Sequence, residues 1–342
     1  MRFNKLFRKS IVMLFAASIA FSSSALAGQK DSKKDEKKEP PPQGTPVLWQ
    51  EPTDIGSRNL LLGPGGEEMK PDLSQVIWEE TPPEPGYSVK WRVRDASGKK
   101  WVVKVGNESQ PETAAVRLLW AAGYATEINY LVPCVQIVNA PKPRKNVKRC
   151  EGKGFANVRF EARPKGEKRL DMWSWNQNPF SATKEFQGLV ILMGLLNNWD
   201  LKDENNKVIY MPGEADGQGE LRYIISDLGA TFGKTGGAIT HSRNEPDKYI
   251  KTGFIDKVEG DRVKFDYHGK NSGLFDHITV EQAKWIGDLL SQLSEEQVKD
   301  AFRAANYTPA EVEGLSQEVL ARINALHSLP APAPTAATTP GL

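Results

Sequence analysis

Apolar and polar positions follow two different patterns along this chain. Between residues 49 and 163 the pattern is mainly that of strands, because short runs alternate between apolar and polar side chains. A single helix, Glu112–Ala122, interrupts them and ends at Gly123. The predicted strands are Tyr87–Asp95, Lys100–Val105, Cys134–Val138 and Phe155–Glu161.

The pattern becomes mainly helical from about Ser181. Lys184–Asn198 is apolar almost all round, which is typical of a helix buried in a core. Three C-terminal helices are predicted by their caps, since Thr279, Ser294 and Thr308 each precede a Gln or Glu by three residues. The predicted fold class is therefore α+β in two lobes, a strand-rich N-lobe with one helix and a mainly helical C-lobe.

These patterns divide the chain into five predicted segments. They are a signal peptide (1–27), a disordered linker (28–46), the N-lobe (47–165), the C-lobe (166–328) and a disordered tail (329–342). The linker is charged and proline-rich, and the tail is rich in Pro, Ala and Thr, so neither has enough apolar residues for a core.

Residues 1–27 have the three parts of a signal peptide. A basic start is followed by the short apolar run Ile11–Phe21 and by Ala25 and Ala27 at the small-residue positions of a cleavage site. The run is shorter than the roughly 20 residues that span a bilayer. We therefore expect an exported protein, periplasmic or secreted, without a stable membrane anchor.

The charge composition argues against nucleic acid as a partner. Lys and Arg number 45 and Asp and Glu 43, so the formal net charge is only +2. Nucleic-acid binding usually requires a strongly basic stripe, and we expect none here.

The only two cysteines are Cys134 and Cys150. The residues between them form two strand-like arms around a proline-containing turn, and a hairpin would bring the cysteines face to face. Export supplies an oxidising compartment, which favours a disulfide over two separate buried thiols.

One polar loop combines the groups that phosphoryl transfer requires. Asp200, Lys202 and Asn205 follow the predicted buried helix, and Asp227 ends an apolar strand before Leu228-Gly229. A carboxylate to orient a hydroxyl, a cation for the migrating phosphoryl and oxygen ligands for a metal are the parts of that chemistry. Such a loop by itself is usually only a turn, and the joint pattern of helix, loop, strand and Asp227 favours a site.

The order of these motifs resembles the protein-kinase-like superfamily. Four motifs carry the resemblance. They are KV at Lys104, a helix glutamate at Glu112, D-L-K-x-E-N from Asp200 and D-L-G from Asp227. Within this superfamily the chain is similar to the atypical branches, namely the HipA-type, phosphatidylinositol 3-/4-kinase-like and secretory-pathway kinases. The histidine and arginine of the usual H-R-D are replaced by Asn198 and Trp199.

The resemblance implies roles for two further residues. Lys104 would bind nucleotide phosphates and pair with Glu112. The alternative for Lys104 is an edge-strand lysine whose ammonium reaches solvent. For Glu112 the alternative is a capping box with Ser109, three residues earlier.

The resemblance also predicts a glycine loop over the phosphates. Gly63, Gly65 and Gly66 lie near the expected position, although they do not form G-x-G-x-x-G and would equally serve to turn the chain.

Three functions follow as hypotheses, of which the third is the transfer of another group, such as a nucleotidyl group, by the same fold. The first is a phosphotransferase that uses ATP with Mg (or Mn) to phosphorylate a hydroxyl on an unknown protein, lipid or glycan acceptor. Asp200 and Lys202 would be catalytic, Lys104, Glu112 and the three glycines would bind nucleotide, and Asn205 and Asp227 would hold the metal. The second is a pseudokinase, a binding module of the same fold for a protein or cell-envelope ligand.

Overall fold

A computed structural model describes residues 42–83, 86–213, 218–237 and 239–330 of the protein. The predicted signal peptide lies outside these residues, as do most of the linker and of the tail. Within them, every helix is too short or too polar to cross a membrane.

Three sheets and six helices form the described structure. The strands are β1 (Gly44–Val47), β2 (Ile77–Glu80), β3 (Val89–Arg94), β4 (Lys100–Val105), β5 (Asn129–Val135), β6 (Phe155–Ala162), β7 (Lys168–Arg169), β8 (Asn206–Met211), β9 (Gly219–Ile225), β10 (Ile255–Glu259) and β11 (Arg262–Phe265). The helices are α1 (Ser109–Ala121), α2 (Lys184–Leu195), α3 (Pro246–Tyr249), α4 (Val280–Leu290), α5 (Glu295–Arg303) and α6 (Pro309–His327). The predicted α+β class is confirmed, with a strand-rich first part holding α1 and helices concentrated in the second.

The strands pair in an order that differs from their order along the chain. A five-stranded sheet has the order β2-β3-β4-β6-β5, a four-stranded sheet the order β1-β9-β8-β7, and β10 pairs with β11. All neighbours in the five-stranded sheet are antiparallel, and β1 lies parallel to β9. The long connection from β4 to β6 contains both α1 and β5.

The two faces of the five-stranded sheet have opposite character. Trp91 faces Val103 across the β3–β4 pair, and both are buried with the apolar core of this sheet. One residue away in register, Lys90, Lys104 and Arg159 lie side by side across β3, β4 and β6. Because side chains alternate between faces, this charged row lies on the face away from Trp91.

A second core joins α1 to the helical part. Leu118 and Leu119 of α1 belong to the same buried cluster as Leu189 and Leu192 of α2. The caps predicted for α4, α5 and α6 are present, and each is a complete capping box. Helix α2 has the predicted start and ends at Leu195, three residues before the predicted end.

The predicted disordered linker, 28–46, is wrong at its C-terminal end. Gly44–Val47 forms β1 and pairs in register with β9 from Gly219 to Arg222. Gly44 permits this pairing because a Cβ there would lie 2.6 Å from the Gly219 carbonyl oxygen. The first described strand, β1, therefore pairs with β9, which lies in the second half of the sequence.

The predicted disulfide is present, but the hairpin that led to it is absent. Cys134 and Cys150 are bonded, with their Cα atoms 5.8 Å apart. Cys134 lies in β5 and pairs with Ala156 of β6, whereas Arg149 bridges to Phe155. The two cysteines therefore meet because both flank the start of β6. The sequence pattern did not indicate that the segments carrying the two cysteines would both pair with β6.

We expect loss of the disulfide to lower the free energy of unfolding by roughly 3 kcal/mol, because it closes a loop of about 15 residues in the unfolded chain. Urea denaturation of Cys134→Ser, Cys150→Ser and the double variant measures the loss. All three should match the reduced wild type. A double variant markedly less stable than either single variant, or free thiols in non-reduced wild-type protein, would contradict the account.

Candidate active site

Lys104 is the centre of a buried cluster of charges. Its ammonium Nζ lies 2.5 Å from Glu112 Oε2, 3.2 Å from Asp227 Oδ1 and 3.7 Å from Glu108 Oε2. The Lys104 side chain is 1% exposed and that of Asp227 30%. The structure thus brings together the three residues that the sequence assigned to one site, and adds Glu108. Lys104 is an interior lysine, so the edge-strand alternative is wrong.

A short connection after β4 places α1 beside this lysine. Gly106 adopts a φ of +135°, which favours glycine, and Ser109 Oγ donates to the Lys104 carbonyl oxygen at 2.8 Å. Helix α1 therefore begins against the end of β4, and its first turn points Glu112 at Lys104. The capping-box alternative for Glu112 is wrong, because the cap position is occupied by Glu108 and makes no side-chain cap.

Arg159 forms a second layer behind Glu112. Its Nη2 lies 3.2 Å from Glu112 Oε1 and 2.6 Å from Glu161 Oε2, and its Nη1 lies 3.6 Å from Glu127 Oε2. Glu127 Oε1 in turn accepts a hydrogen bond from Ser226 Oγ, the residue before Asp227. The buried carboxylates and cations therefore form one connected set from β6 to the end of β9.

The charges of this set shift one another's pKa values. Burial alone would raise the pKa of Asp227, but Lys104 and Lys90 oppose it and hold that pKa at about 2. Burial lowers the pKa of Lys104, and the nearby carboxylates raise it. Together the carboxylates have the larger effect, so the pKa of Lys104 lies above its ordinary value. Burial raises the pKa of Glu112 to about 7, against the opposing effect of Arg159 and Lys104. Asp227 and Lys104 are thus charged throughout the physiological range.

The loop after α2 presents Asp200 between two lysines. Lys202 Nζ lies 2.9 Å from Asp200 Oδ2, and Lys270 Nζ lies 3.3 Å from Asp200 Oδ1. Asn205 Nδ2 donates to the Asp200 carbonyl oxygen at 2.7 Å, which folds the loop back on itself. The Asn205 carbonyl oxygen accepts the Asp227 N–H at 3.2 Å. Asp200, Asn205 and Asp227 are therefore parts of one connected structure.

The oxygens of Asn205 and Asp227 fit a hard divalent cation. The Asp227 contacts with Lys104 and with the Gly229 N–H both use Oδ1, and those of the Asn205 side chain both use Nδ2. Within the described residues, Asp227 Oδ2 and Asn205 Oδ1 have no protein donor. One carboxylate and one amide oxygen suit Mg²⁺, which keeps several waters and completes its shell on substrate phosphates. No group of three or more acidic, His or Cys residues forms a protein-only metal site in the described structure.

The three glycines predicted to cover phosphates lie elsewhere. A Cβ at Gly63 would lie 2.4 Å from the Arg117 guanidinium, and one at Gly65 would lie 2.1 Å from the Tyr130 hydroxyl. Tyr130 also donates to the Gly66 carbonyl oxygen at 2.8 Å. The structure does not bring these glycines together with Lys104, and it supports their alternative role in turning and packing the chain.

Several site residues were missed from the sequence. Glu108 accepts a hydrogen bond from Ser88 Oγ at 2.6 Å and forms a salt bridge with Arg243. The Arg243 guanidinium also lies over the Tyr87 ring at 4.4 Å and over the Trp199 ring at 4.8 Å. Arg243 thereby links the segment after Asp227 to α1, to the β2–β3 turn and to the loop before Asp200.

The sequence contained a signal for only some of these residues. Arg159 and Glu161 stand two apart in a predicted strand, so their shared face was foreseeable. Lys270 carried no such signal, because it reaches Asp200 through the chain after β11, where its N–H donates to the Trp199 carbonyl oxygen at 2.8 Å.

Comparison with known proteins gives matches in solved structures only. No protein-family model and no curated protein sequence matches the chain. Among solved structures, the chain is similar to the proinflammatory kinase CtkA of Helicobacter pylori, with 12% identity and a TM-score of 0.44 over 75% of this chain and 97% of that one. It is also similar to the Golgi casein kinase with Mn/ADP bound (11%, TM-score 0.38, 75% and 73% of the chains). A third is the ADP/Mg²⁺-phosphoaspartate complex of the Rio2 kinase from Chaetomium thermophilum (12%, 0.31, 72% and 72%). All are kinases, but at these low TM-scores we assign no function from them.

Replacing Arg159 should strongly destabilise the fold. Arg159→Met leaves three buried carboxylates short of a cation, and breaking one partner of a buried ion pair costs about 3–5 kcal/mol. Arg92→Met on β3 is the matched control, because Arg92 pairs with Glu80 at an exposed position, where a salt bridge contributes at most about 1 kcal/mol. Urea denaturation compares the two variants. Equal losses in the free energy of unfolding of the two variants would show that the buried charges around Arg159 do not stabilise the fold.

Proposed function

We propose that this chain is an exported phosphotransferase of protein-kinase-like fold that uses ATP with Mg²⁺ or Mn²⁺ to phosphorylate a hydroxyl group. The observation that carries the proposal is the position of the Lys104 ammonium, which contacts Glu112 of α1 and Asp227 after β9 at once. A buried cation beside a partly exposed carboxylate with a free oxygen suits a phosphate and its metal ion.

The contacts of each residue support a proposed role. Lys104, held by Glu112, binds phosphate oxygens of the nucleotide. Asn205 and Asp227 would hold the metal through the side-chain oxygens that have no protein donor among the described residues, and the metal would neutralise charge on the phosphates when bound. Asp200 accepts a hydrogen bond from the acceptor hydroxyl and orients it for attack on the γ-phosphorus. The new O–P bond replaces the bond to the β-phosphate, ADP leaves, and Asp200 takes the hydroxyl proton. Lys202, already beside Asp200, is placed to stabilise the charge that develops on the phosphoryl group.

The acceptor must reach Asp200, whose side chain is 13% exposed between two lysines. A protein, lipid or glycan hydroxyl meets this requirement. Export is supported by the disulfide between Cys134 and Cys150, since such bonds persist mainly in oxidising compartments.

A second function is favoured by one observation. Lys90 and Arg159 flank Lys104 on the sheet face of the site, and Glu161 lies opposite Val102 on the same face. A purine base usually packs between apolar side chains, and this face is largely charged. A pseudokinase that binds a protein or cell-envelope ligand with this surface is therefore the alternative.

Two aspartate variants should separate binding from transfer. Asp227→Asn should abolish the Mg-dependent rise in melting temperature with ATP, because it removes the charge of a metal ligand. Asp200→Asn should keep that rise and lose label transfer from γ-labelled ATP to the protein itself or to envelope extract. Asp256→Asn, at an exposed position of β10, is the matched control and should keep both.

Two results would contradict the phosphotransferase. A wild type that shows no response to ATP or GTP with Mg²⁺ or Mn²⁺ would exclude nucleotide binding. A wild type that binds Mg-ATP and transfers no label would replace the enzyme with the binding-module alternative. Lys104 is unsuited to this test, because its burial among three carboxylates makes it necessary for the fold as well.

A further inference from the structure

A strongly basic loop lies between β5 and β6, and its Lys145 lies over the Tyr87 ring at the edge of the candidate active site. Residues 142–153 contain six lysines and arginines and one acid, Glu151, in a chain whose formal net charge is only +2. All six basic residues are exposed, namely Lys142, Arg144, Lys145, Lys148, Arg149 and Lys153. Within the described residues none of them forms a salt bridge, whereas Arg163 and Arg169, just beyond β6, both do. Among the described residues the loop therefore has a large excess of positive charge without a carboxylate partner.

Several contacts hold the second half of the loop, residues 148–153, in shape. The Cys134–Cys150 disulfide joins it to β5, and the Ala156 N–H of β6 donates to the Lys148 carbonyl oxygen at 3.1 Å. The Arg149 guanidinium stacks 3.9 Å from the Phe155 ring centre, and its Nη1 donates to the Lys153 carbonyl oxygen at 3.1 Å. These contacts limit how far the basic groups can move apart to relieve their mutual repulsion.

The loop borders an open cavity of about 340 Å³ at the surface of the protein. Ile137, Ala140 and Phe155 supply apolar lining, and Lys142, Arg149 and Lys153 supply three cations. Phe155 packs edge-on against Trp91, whose side chain lies on the sheet face away from Lys104. The cavity is therefore separate from the candidate active site.

We propose that this cavity binds a phosphate ester. A tetrahedral anion with several acceptor oxygens matches an arginine and two lysines that have no carboxylate partner among the described residues, because Arg binds such oxygens in pairs and Lys as a point charge. The apolar lining suits the carbon-bearing substituent of an ester. The same group occurs on small soluble esters and on the headgroups of anionic phospholipids.

Two kinds of probe distinguish these sources. Glycerol phosphate and inorganic phosphate are titrated calorimetrically against the mature protein, and vesicles of phosphatidylglycerol and phosphatidylcholine are tested by co-sedimentation. The variant is Lys142→Gln, Arg149→Gln and Lys153→Gln together. A basic residue near an anionic surface contributes roughly fivefold to affinity, so we expect a loss of about 100-fold for phosphatidylglycerol vesicles. High salt should weaken wild-type binding because it screens exposed charges.

The matched control changes the net charge equally at another surface. Lys248→Gln, Lys251→Gln and Lys257→Gln together remove three exposed lysines around α3 and β10 and should leave binding unchanged. A double variant, Lys142→Gln with Lys153→Gln, retains the Arg149 stacking on Phe155 and serves if the triple variant does not fold.

Binding of glycerol phosphate that the cavity variant loses would support the site and identify a soluble ester. Binding of phosphatidylglycerol vesicles alone, lost in the same variant, would support the site with a lipid headgroup as ligand. The proposal is overturned if wild type binds none of the probes, or if the control triple weakens binding as much as the cavity triple. Because the cavity variant retains Lys104 and Asp227, its response to Mg-ATP reports on the proposed phosphotransferase independently.

Discussion

The burial of one ammonium group, that of Lys104, constrains much of this structure. A lysine with a 1% exposed side chain loses nearly all of its hydration, and such a charge is tolerated only with close partners. Those partners are Glu108 and Glu112 of the α1 region and Asp227 after β9. Strand β4, helix α1 and the end of β9 must therefore come together for the chain to fold. The same requirement assembles the group that we propose binds phosphate.

Arg159 extends this constraint into the sheet. Directly opposite Lys104 in register, it holds Glu112 from the other side and contacts Glu127 and Glu161. Glu127 then reaches Ser226, next to Asp227. Two sets of contacts thus fix the position of Asp227. Lys104 contacts it directly, and Arg159 contacts Glu127, which binds the preceding residue, Ser226. A residue held in this way keeps its position before a ligand arrives, which favours binding because less ordering is required.

The sequence predicted the elements that depend on local pattern. The alternation around Trp91 predicted β3, and the run after Thr183 predicted a buried helix, because apolar periodicity reports which faces are covered. The order of the motif residues along the chain led to Lys104, Glu112, Asp200 and Asp227 as candidates, and the structure brings Lys104 into contact with Glu112 and Asp227. The pairing of Cys134 with Cys150 was right for a wrong reason, since both flank β6 instead of forming a hairpin.

What the sequence did not predict depends on distant contacts. Lys270 reaches Asp200 across 70 residues of chain, and Arg243 reaches Glu108 across 135. No local periodicity encodes such a contact. The same limit explains Gly63 and Gly65, whose need for glycine comes from Arg117 and Tyr130 packing closely against them, whereas Gly66 has a φ of +59° and lies against the Glu68 carboxylate.

The most direct test of the central claim is a crystal structure of the mature protein grown with Mn²⁺ and ADP, with anomalous data collected for manganese. The account predicts a manganese peak bound by Asn205 Oδ1 and Asp227 Oδ2, with a phosphate of ADP on Lys104 Nζ. Nucleotide bound at another place, or a site between Lys104 and Asp227 that stays without manganese and ADP at saturating concentrations, would contradict it.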